Sequence, residues 1–401
     1  MPSSAPYSAS PYGQPSQTAV MPGDYDAPAV MATARPVSAG GAEYGARGAG
    51  HGGFGAGSGG GSGKGRGLGK KIAIAVVVIL LAVLVGGGIW FWQYVQNVTN
   101  KIHEGVDENL SAALSEGVKP GEPFYMLLMG VDRSQERAGT AEYGGDNFRS
   151  DSMILARIDP GQKTVSLISI QRDTYVNIEG YGYNKINAAH AFGGAALTVQ
   201  TVSEFAGVPI SHYAEIDFDG FKAVVDALGG IEVNVPLEIN DADAGGYVPA
   251  GQQTLTGEQA MILCRSRHTY DEIGPGDFYR AANQRMVIGA IASKVLASDP
   301  VTMASSITSM ADYITTDMSL EEIISVATAI RGIDTENDIY SAMNPTVSSY
   351  DGTIWIEYAD VDAWRTMMVR VDQGLPPYED EERNKNDGGT VDGTVWQGEA
   401  A

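Results

Sequence analysis

The sequence predicts an α/β domain tethered outside a membrane by one preceding transmembrane helix. Three observations lead there. Short strand-like apolar runs alternate with segments of helical spacing from about residue 122 to residue 373. Ile72 to Trp92 is an apolar run of 21 residues without a charge, the length that crosses a bilayer as a helix. The formal charge of the chain is −23, and the acidic excess lies beyond that run, because six basic residues face three acidic ones through Lys71.

Residues 1–71 are rich in Gly, Ser, Pro and Ala and lack the apolar side chains that offset ordering entropy, so a disordered arm is expected. Its Gly61-Ser62-Gly63-Lys64-Gly65 is no phosphate loop: no Ser or Thr follows Lys64 and no strand precedes it. Lys64, Arg66, Lys70 and Lys71 stand on one side of the apolar run, and Trp90, Trp92 and Tyr94 on the other. Positive charge stays inside, which makes the arm cytoplasmic and everything after the span (72–92) extracytoplasmic. Residues 93–121 read as a polar, partly helical stalk, residues 122–373 as the folded domain, and residues 374–401 as an acidic disordered tail.

Phe124 to Met129 is a buried strand by its unbroken apolar run. Met153 to Ile158 and Thr164 to Ile170 are two more, joined by the turn sequence Asp159-Pro160-Gly161-Gln162. These strand ends deliver Asp132, Arg149 with Asp151, and Arg172. Asn184 to Asn187 opens a loop carrying Lys185, and Gly193-Gly194 precedes a helix running to about Phe205. His212 to Ile216 is a strand, Phe218 to Leu228 a helix, and Ile231 to Val235 a strand. Arg280 to Leu296 is a helix, and Ser319-x-x-Glu322 is a capping box that opens another. Thr353 to Ile356 is a further short strand.

The chemistry concentrates in Leu263 to Ile288, which holds Arg265, Arg267, Arg280 and Arg285 in an otherwise acidic chain. Arg265 and Arg267 point the same way if their backbone is extended. Arg280 and Gln284 share a helix face that continues through apolar Val287, Ile291 and Val295. A guanidinium on a buried stripe needs a partner, and its fork matches phosphate or carboxylate oxygens. Salt bridges with Asp271, Glu272 and Asp277 account for a single arginine; a cluster behind Gly274-Pro275-Gly276 favours an oxyanion site. Asp132 and Asp151 either cap turns or hold Mg²⁺ or Mn²⁺, which take oxygen ligands. Beside Arg149, Arg172 and Lys185 the second use gains weight, because metal and guanidiniums together suit a pyrophosphate. Phe218, Phe221, Val224 and Leu228 form an apolar face that serves either as core or as a lipid-lining wall. The lone Cys264 excludes an intrachain disulfide and C-x-x-C zinc sites. No G-x-S-x-G elbow occurs, and the acidic surface opposes nonspecific nucleic-acid binding.

Taken together, GVDR (130–133), RSDSMILARIDP (149–160), SIQRDTYV (169–176), NKIN (184–187), DFDGFKAVVDALGGIEVNV (217–235) and RSRHTYDEIGPGDFYRAANQ (265–284) resemble the LytR-CpsA-Psr family, strongly over residues 122–300. That resemblance implies an α/β/α domain with a central mixed sheet and a hydrophobic pocket. It also implies a membrane-anchored phosphotransferase that moves a glycopolymer from a polyprenyl-pyrophosphate carrier to peptidoglycan. The acceptor implied is the C6 hydroxyl of N-acetylmuramic acid; the products are a phosphodiester and polyprenyl phosphate. Carried over by position, Asp132 and Asp151 would bind Mg²⁺, and Asp151 is also a candidate base. Arg149, Arg172, Arg265, Arg267 and Arg280 would clamp the pyrophosphate with Gln284 and Lys185.

Two positions depart from the family pattern. Gln171 stands where the family has proline before Arg172, and Asn283 stands where it often has a second helix arginine. Arg285, on another face, is a poor substitute. The rival expectations are the same chemistry on a protein acceptor, hydrolysis of the carrier pyrophosphate, and a non-catalytic glycan-binding or regulatory membrane protein.

Overall fold

The run from Phe124 to Met129 is apolar at every position, and the fold buries both of its faces. The computed structural model describes residues 86–87, 89–90, 92–115, 118–119, 121–131, 150–272, 276–335, 337–350 and 352–379, with only the backbone at 150 and 151. In it the run forms β1 (Phe124–Val131). Tyr125, Leu127 and Met129 face one apolar cluster, and Met126 and Leu128 face another, as the two-residue period of a strand requires.

β1 pairs antiparallel with β2 (Ser150–Asp159), which pairs antiparallel with β3 (Thr164–Ser169). Further along come the hairpin β4 (Tyr175–Ile178) and β5 (Gly182–Lys185), helix α3 (Ala188–Ala206), and β6 (His212–Asp217), which lies parallel to β1. Two later strands close the sheet edges: β11 (Ile314–Thr316) antiparallel to β6, and β12 (Ile339–Met343) parallel to β3. The order is β11-β6-β1-β2-β3-β12, a six-stranded mixed sheet, as the resemblance implied.

Helices cover both faces. On one, α3 and α9 (Val361–Asp372) bury Val199, Val202, Trp364 and Met368 against Tyr125, Leu155 and Ile168. On the other stand α4 (Phe218–Ala227), α5 (Gly257–Arg265), α6 (Gly276–Ala297), α7 (Pro300–Met310) and α8 (Leu320–Ala329). A smaller apolar cluster joins α5 and α6 to the strand pairs β7 (Ile231–Val235) with β10 (Gly251–Leu255) and β8 (Ile239–Asp241) with β9 (Gly246–Val248). The ribbon of β13 (Thr346–Tyr350) and β14 (Trp355–Ala359) follows β12.

Several boundaries differ from the sequence reading. Gly193-Gly194 precedes the helical stretch that runs to Ala206, as expected, but another stretch starts before it at Ala188, and α3 joins the two across a kink where both glycines leave helical geometry and Gly194 adopts φ 64°. A Cβ on Gly193 would come within 2.6 Å of the Leu197 side chain, so the kink needs glycine there. Asn184 and Lys185 close strand β5 instead of opening a loop. The capping box at Ser319 starts α8 as expected.

The described part of segment 93–121 packs into the body. Helix α1, residues 92–102, seats Val95, Val98 and Ile102 among residues of α7 and α8. Helix α2 (Glu108–Ala113), capped by Asp107 accepting from the Leu110 N–H at 2.8 Å, buries Leu110 in the sheet cluster. At the other end, the Arg370 guanidinium donates to the carbonyls of Pro376 and Tyr378, holding the chain to the body beyond residue 373. Among the described residues no helix is long and apolar enough to cross a membrane. The expected arm, almost all of the expected span (save residues 86, 87, 89, 90 and 92) and residues 380–401 of the expected tail lie outside those residues.

Leu110 is 1% exposed. Leu110→Ala is therefore expected to destabilise the protein by about 2–5 kcal/mol in urea unfolding. A loss under about 0.5 kcal/mol would fit a loose stalk instead.

Candidate active site

A cavity of about 740 Å³ lies between the sheet and helices α4 to α8. Helix α6 lines it with Arg280, Gln284, Ile288, Ile291 and Val295, and at 1.5 Å per residue this stripe spans roughly 22 Å. The cavity is thus polar beside the first turns of α6 and apolar beyond them. Phe218, Phe221 and Val224 of α4 line the same cavity on one helix face, with Ile307 and Met310 from α7 and Ile323 and Ala327 from α8. Leu228 does not share that wall: it caps α4 and packs into the neighbouring apolar clusters. The expectation for Leu228 is corrected accordingly, because α4 ends before its next turn can present that side chain to the cavity.

Arg172, Arg265, Arg267 and Arg280 all line the cavity, together with Gln284. Arg265 and Arg267 reach it by a route other than extended backbone. Thr256-x-x-Gln259 is a capping box that opens α5, a helix not read from the sequence; Arg265 is its last residue and Ser266 its C-cap. The Arg265 guanidinium lies 5.3 Å from the Phe218 ring centroid, a cation–π contact at the polar end of α4.

One carboxylate holds two of the arginines. Asp277 Oδ1 is 3.1 Å from Arg267 Nη1 and 3.2 Å from Arg280 Nη2. Burial pushes the Asp277 carboxyl up, but Arg280, Arg172 and Arg267 outweigh that and hold it below its ordinary value. The cluster therefore contains the expected salt bridge with Asp277 and still faces the cavity. Gly276 makes the approach possible: a Cβ there would sit 2.5 Å from the Arg267 carbonyl oxygen.

A second carboxylate, unmarked in the sequence, fixes the backbone. Asp241 is 3% exposed and ends β8. Its Oδ2 accepts from the Arg267 N–H at 2.9 Å, the His268 N–H at 3.0 Å and the Ser266 hydroxyl at 3.2 Å. Its Oδ1 accepts from the N–H groups of Asp243 and Ala244 at 3.1 Å each. Burial raises this carboxyl, and the donors from Arg267, Ala244, His268 and Ser266 more than reverse the shift. A lone acid after two residues of a three-residue strand carries no sequence signal for this role.

Gln284 ties three elements: its Oε1 accepts from the Ser152 hydroxyl of β2 at 2.9 Å, and its Nε2 donates to the Cys264 carbonyl of α5 at 3.2 Å. Asn283 is fully buried, donating to the Leu263 carbonyl and the Tyr270 hydroxyl, so that position holds α6 to α5 and supplies no cation. Arg285 is 2% exposed and donates to Ser341 of β12 at 2.6 Å; it does not join the cavity. Gln171 anchors the Arg172 loop with two hydrogen bonds. Its N–H, which a proline would lack, donates to Asn344 Oδ1 at 2.9 Å, and its amide donates to Thr346 Oγ1 at 2.7 Å.

Lys185 is not among the cavity-lining residues. Its ammonium pairs with Asp173 at 2.8 Å, next to Arg172, whose Nε is 3.9 Å from the same carboxylate. Asp132 and Arg149 lie outside the described residues, and of Asp151 only the backbone is described. The register sets Val131 beside both Ser150 and Asp217, while Gly130, Ser152 and Asp217 line the cavity. Among the described residues no three His, Cys, Asp or Glu side chains gather as a metal site. His212 pairs with Asp317 at 2.8 Å, and His190 stands 3.5 Å from Glu215. A hydrogen bond and the charge of Asp271 hold the exposed His268 above its ordinary value.

A profile of the LytR_cpsA_psr family matches residues 89–368. The polyisoprenyl-teichoic acid–peptidoglycan teichoic acid transferase TagU of Enterococcus faecalis is 37% identical over 247 residues, covering 61% of this chain and 77% of that protein. The crystal structure of TagV from B. subtilis superposes with a TM-score of 0.55 at 29% identity, over 64% of this chain and 98% of that one. A structure of TagT bound to LIIa-WTA gives a TM-score of 0.53 at 26% identity, over 66% of this chain and 96% of that one.

Two outcomes are expected of these residues. Asp241→Ala should cost about 3 kcal/mol in urea unfolding at neutral pH, the order of the bonds lost to a buried charge. Because the Asp241 carboxyl is depressed in the folded state, its contribution is fully present above about pH 4 and drains as the pH falls through the depressed value, so the gap to Asp241→Asn should narrow only there. The Cys264 thiol, pushed up to about 12 by burial, should resist alkylation at pH 8 until the protein unfolds.

Proposed function

The chain belongs to the LytR-CpsA-Psr family, and from that premise we propose that it transfers a glycopolymer from a polyprenyl-pyrophosphate carrier to peptidoglycan. The observation that carries this reading is a single cavity that is apolar along most of α6 and lined by four arginines at its polar end. A prenyl chain needs the first feature and a pyrophosphate the second. The relatives named as teichoic acid transferases, and a relative bound to LIIa-WTA, fit the same assignment.

In this reading Arg172, Arg265, Arg267 and Arg280 clamp the pyrophosphate, Arg149, just before β2 in sequence, joins them, and Gln284 braces the cradle. Lys185 acts through Asp173, holding the carboxylate beside Arg172. Asp277 keeps Arg267 and Arg280 in place before the substrate arrives, so little reorganisation is left for the reaction. The C6 hydroxyl oxygen of N-acetylmuramic acid forms a bond to the sugar-side phosphorus. The anhydride bond to the far phosphate breaks, and polyprenyl phosphate leaves along the apolar end. The hydroxyl proton passes to a base, for which Asp151 is the candidate. Asp132, next in sequence after β1, and Asp151 of β2 are hard oxygen donors suited to Mg²⁺ or Mn²⁺. When bound, the ion would neutralise charge on the transferring phosphoryl group. Residues 72–92 would anchor the enzyme in the cell membrane by a single pass, with the N-terminus cytoplasmic and the domain outside.

The test uses the full chain in detergent, a short-chain polyprenyl-pyrophosphate sugar and a soluble peptidoglycan oligomer, followed by mass spectrometry. Transfer is expected, with Arg172→Ala and Arg280→Ala each lowering kcat/KM by about 10²- to 10³-fold, the scale of a lost charge-stabilising donor. Chelation should abolish transfer and Mg²⁺ restore it. Polyprenyl phosphate release without transfer would point to hydrolysis. Carrier binding that is tight, unreactive and indifferent to Arg172→Ala would overturn the arginine assignment.

A further inference from the structure

The β13–β14 ribbon exposes more aromatic surface than the fold requires. Strand register decides what shares a face. Tyr350 opposes Trp355, Ser348 opposes Glu357, and Thr346 opposes Ala359. With side chains alternating along each strand, Tyr350, Trp355, Ser348, Glu357 and Thr346 stand on one face. Tyr350 and Trp355 are 54% and 57% exposed, with ring centroids 5.3 Å apart. Beside them Ser348 donates to Glu357 Oε1 at 2.7 Å, and Thr346 donates to Glu357 Oε2 at 2.8 Å. Gln171 then donates to Thr346. The strip therefore runs from two exposed rings, through a carboxylate and two hydroxyls, to the residue preceding Arg172. β14 is also fastened there directly, by the Glu357 N–H donating to the Asp173 carbonyl at 3.1 Å.

Ring faces next to hydrogen-bonding groups suit a ligand that is apolar on the faces of its units and polar at their edges. Pyranose rings have that character: their axial C–H bonds pack on the negative face of an aromatic ring, and their hydroxyl and amide groups bond at the rim. A lipid surface would want the rings without the carboxylate. The location argues the same way. Helix α1, which leads back toward residues 72–92, is fixed at the β11 edge through Lys101 with Asp312 and Thr315 with the Glu104 carbonyl. The ribbon follows the opposite edge strand, five strand spacings or roughly 24 Å across the sheet.

We propose that this face of the β13–β14 ribbon is a saccharide-binding strip that seats the glycan strand of the acceptor and directs it toward Arg172. The proposal rests on the transferase reading for the identity of the acceptor, not for the saccharide chemistry.

The test measures, by calorimetry on the full chain in detergent, binding of a β-1,4-linked N-acetylglucosamine hexamer and of a peptidoglycan tetrasaccharide. Trp355→Ala and Tyr350→Ala should each weaken binding by about five- to tenfold. Trp355→Phe should keep most of it, which separates loss of a ring from loss of the ribbon. In the transfer assay Trp355→Ala should raise the acceptor KM by the same factor and leave carrier binding and kcat unchanged. Saccharide binding that is absent in the wild type, or unaffected by Trp355→Ala, would overturn the strip. So would loss of anionic vesicle binding in Trp355→Ala with saccharide affinity intact, which would give the surface to the membrane. A wild type that binds the hexamer through Trp355 yet transfers to no acceptor would support the strip and sink the transferase reading.

Discussion

A single buried carboxylate fixes the backbone on which Arg267 stands. Asp241 accepts the consecutive N–H groups of Arg267 and His268 and the hydroxyl of Ser266, just past the end of α5. Those bonds turn the chain sharply between Arg265, still helical, and Arg267, already outside the helix. Without that turn the two guanidiniums would leave the helix end in unrelated directions. Asp277 then completes the arrangement from the start of α6, which approaches so closely that Gly276 touches the Arg267 backbone. Like charges gathered in one place repel, and two carboxylates on two different elements make the gathering tolerable while leaving the group turned to the cavity.

Much of this was legible in the sequence where periodicity carries the signal. The apolar run of β1, the turn between β2 and β3, and the stripe of α6 all follow from spacing. Convergence of Arg172, Arg265, Arg267, Arg280 and Gln284 could be anticipated from residue type and family resemblance. What spacing could not supply was the partner of each group. Asp241 lies in a strand too short to show a pattern. The helix that ends in Arg265 was hidden because six of its nine residues are buried, leaving little contrast between faces. Leu228 shares the spacing of Phe218, Phe221 and Val224, but the helix ends there. The segment 93–121 looked like a stalk because polar residues dominate it; Val95, Val98 and Ile102 at helical spacing, with Leu110, dock it.

The two departures from the family pattern have local explanations. Gln171 replaces a rigid φ with two hydrogen bonds, one from an N–H that proline does not possess, so the loop bearing Arg172 is tied to the β12–β13 junction rather than stiffened in place. Asn283 faces the interior and links α6 to the end of α5, where a guanidinium would need room that the buried Tyr270 and Leu263 occupy.

The cavity has a thermodynamic side as well as a chemical one. Some 740 Å³ bounded by Ile288, Ile291, Phe221, Met310 and Ile323 is interior that the protein's own side chains leave unfilled. Helices α4, α6, α7 and α8 surround it, so their mutual packing is incomplete until something apolar enters. An occupant that binds only the folded form adds to stability in proportion to the logarithm of its concentration above its dissociation constant. Loading and folding are therefore linked: the melting temperature of this domain is itself a gauge of how much of that occupant surrounds it.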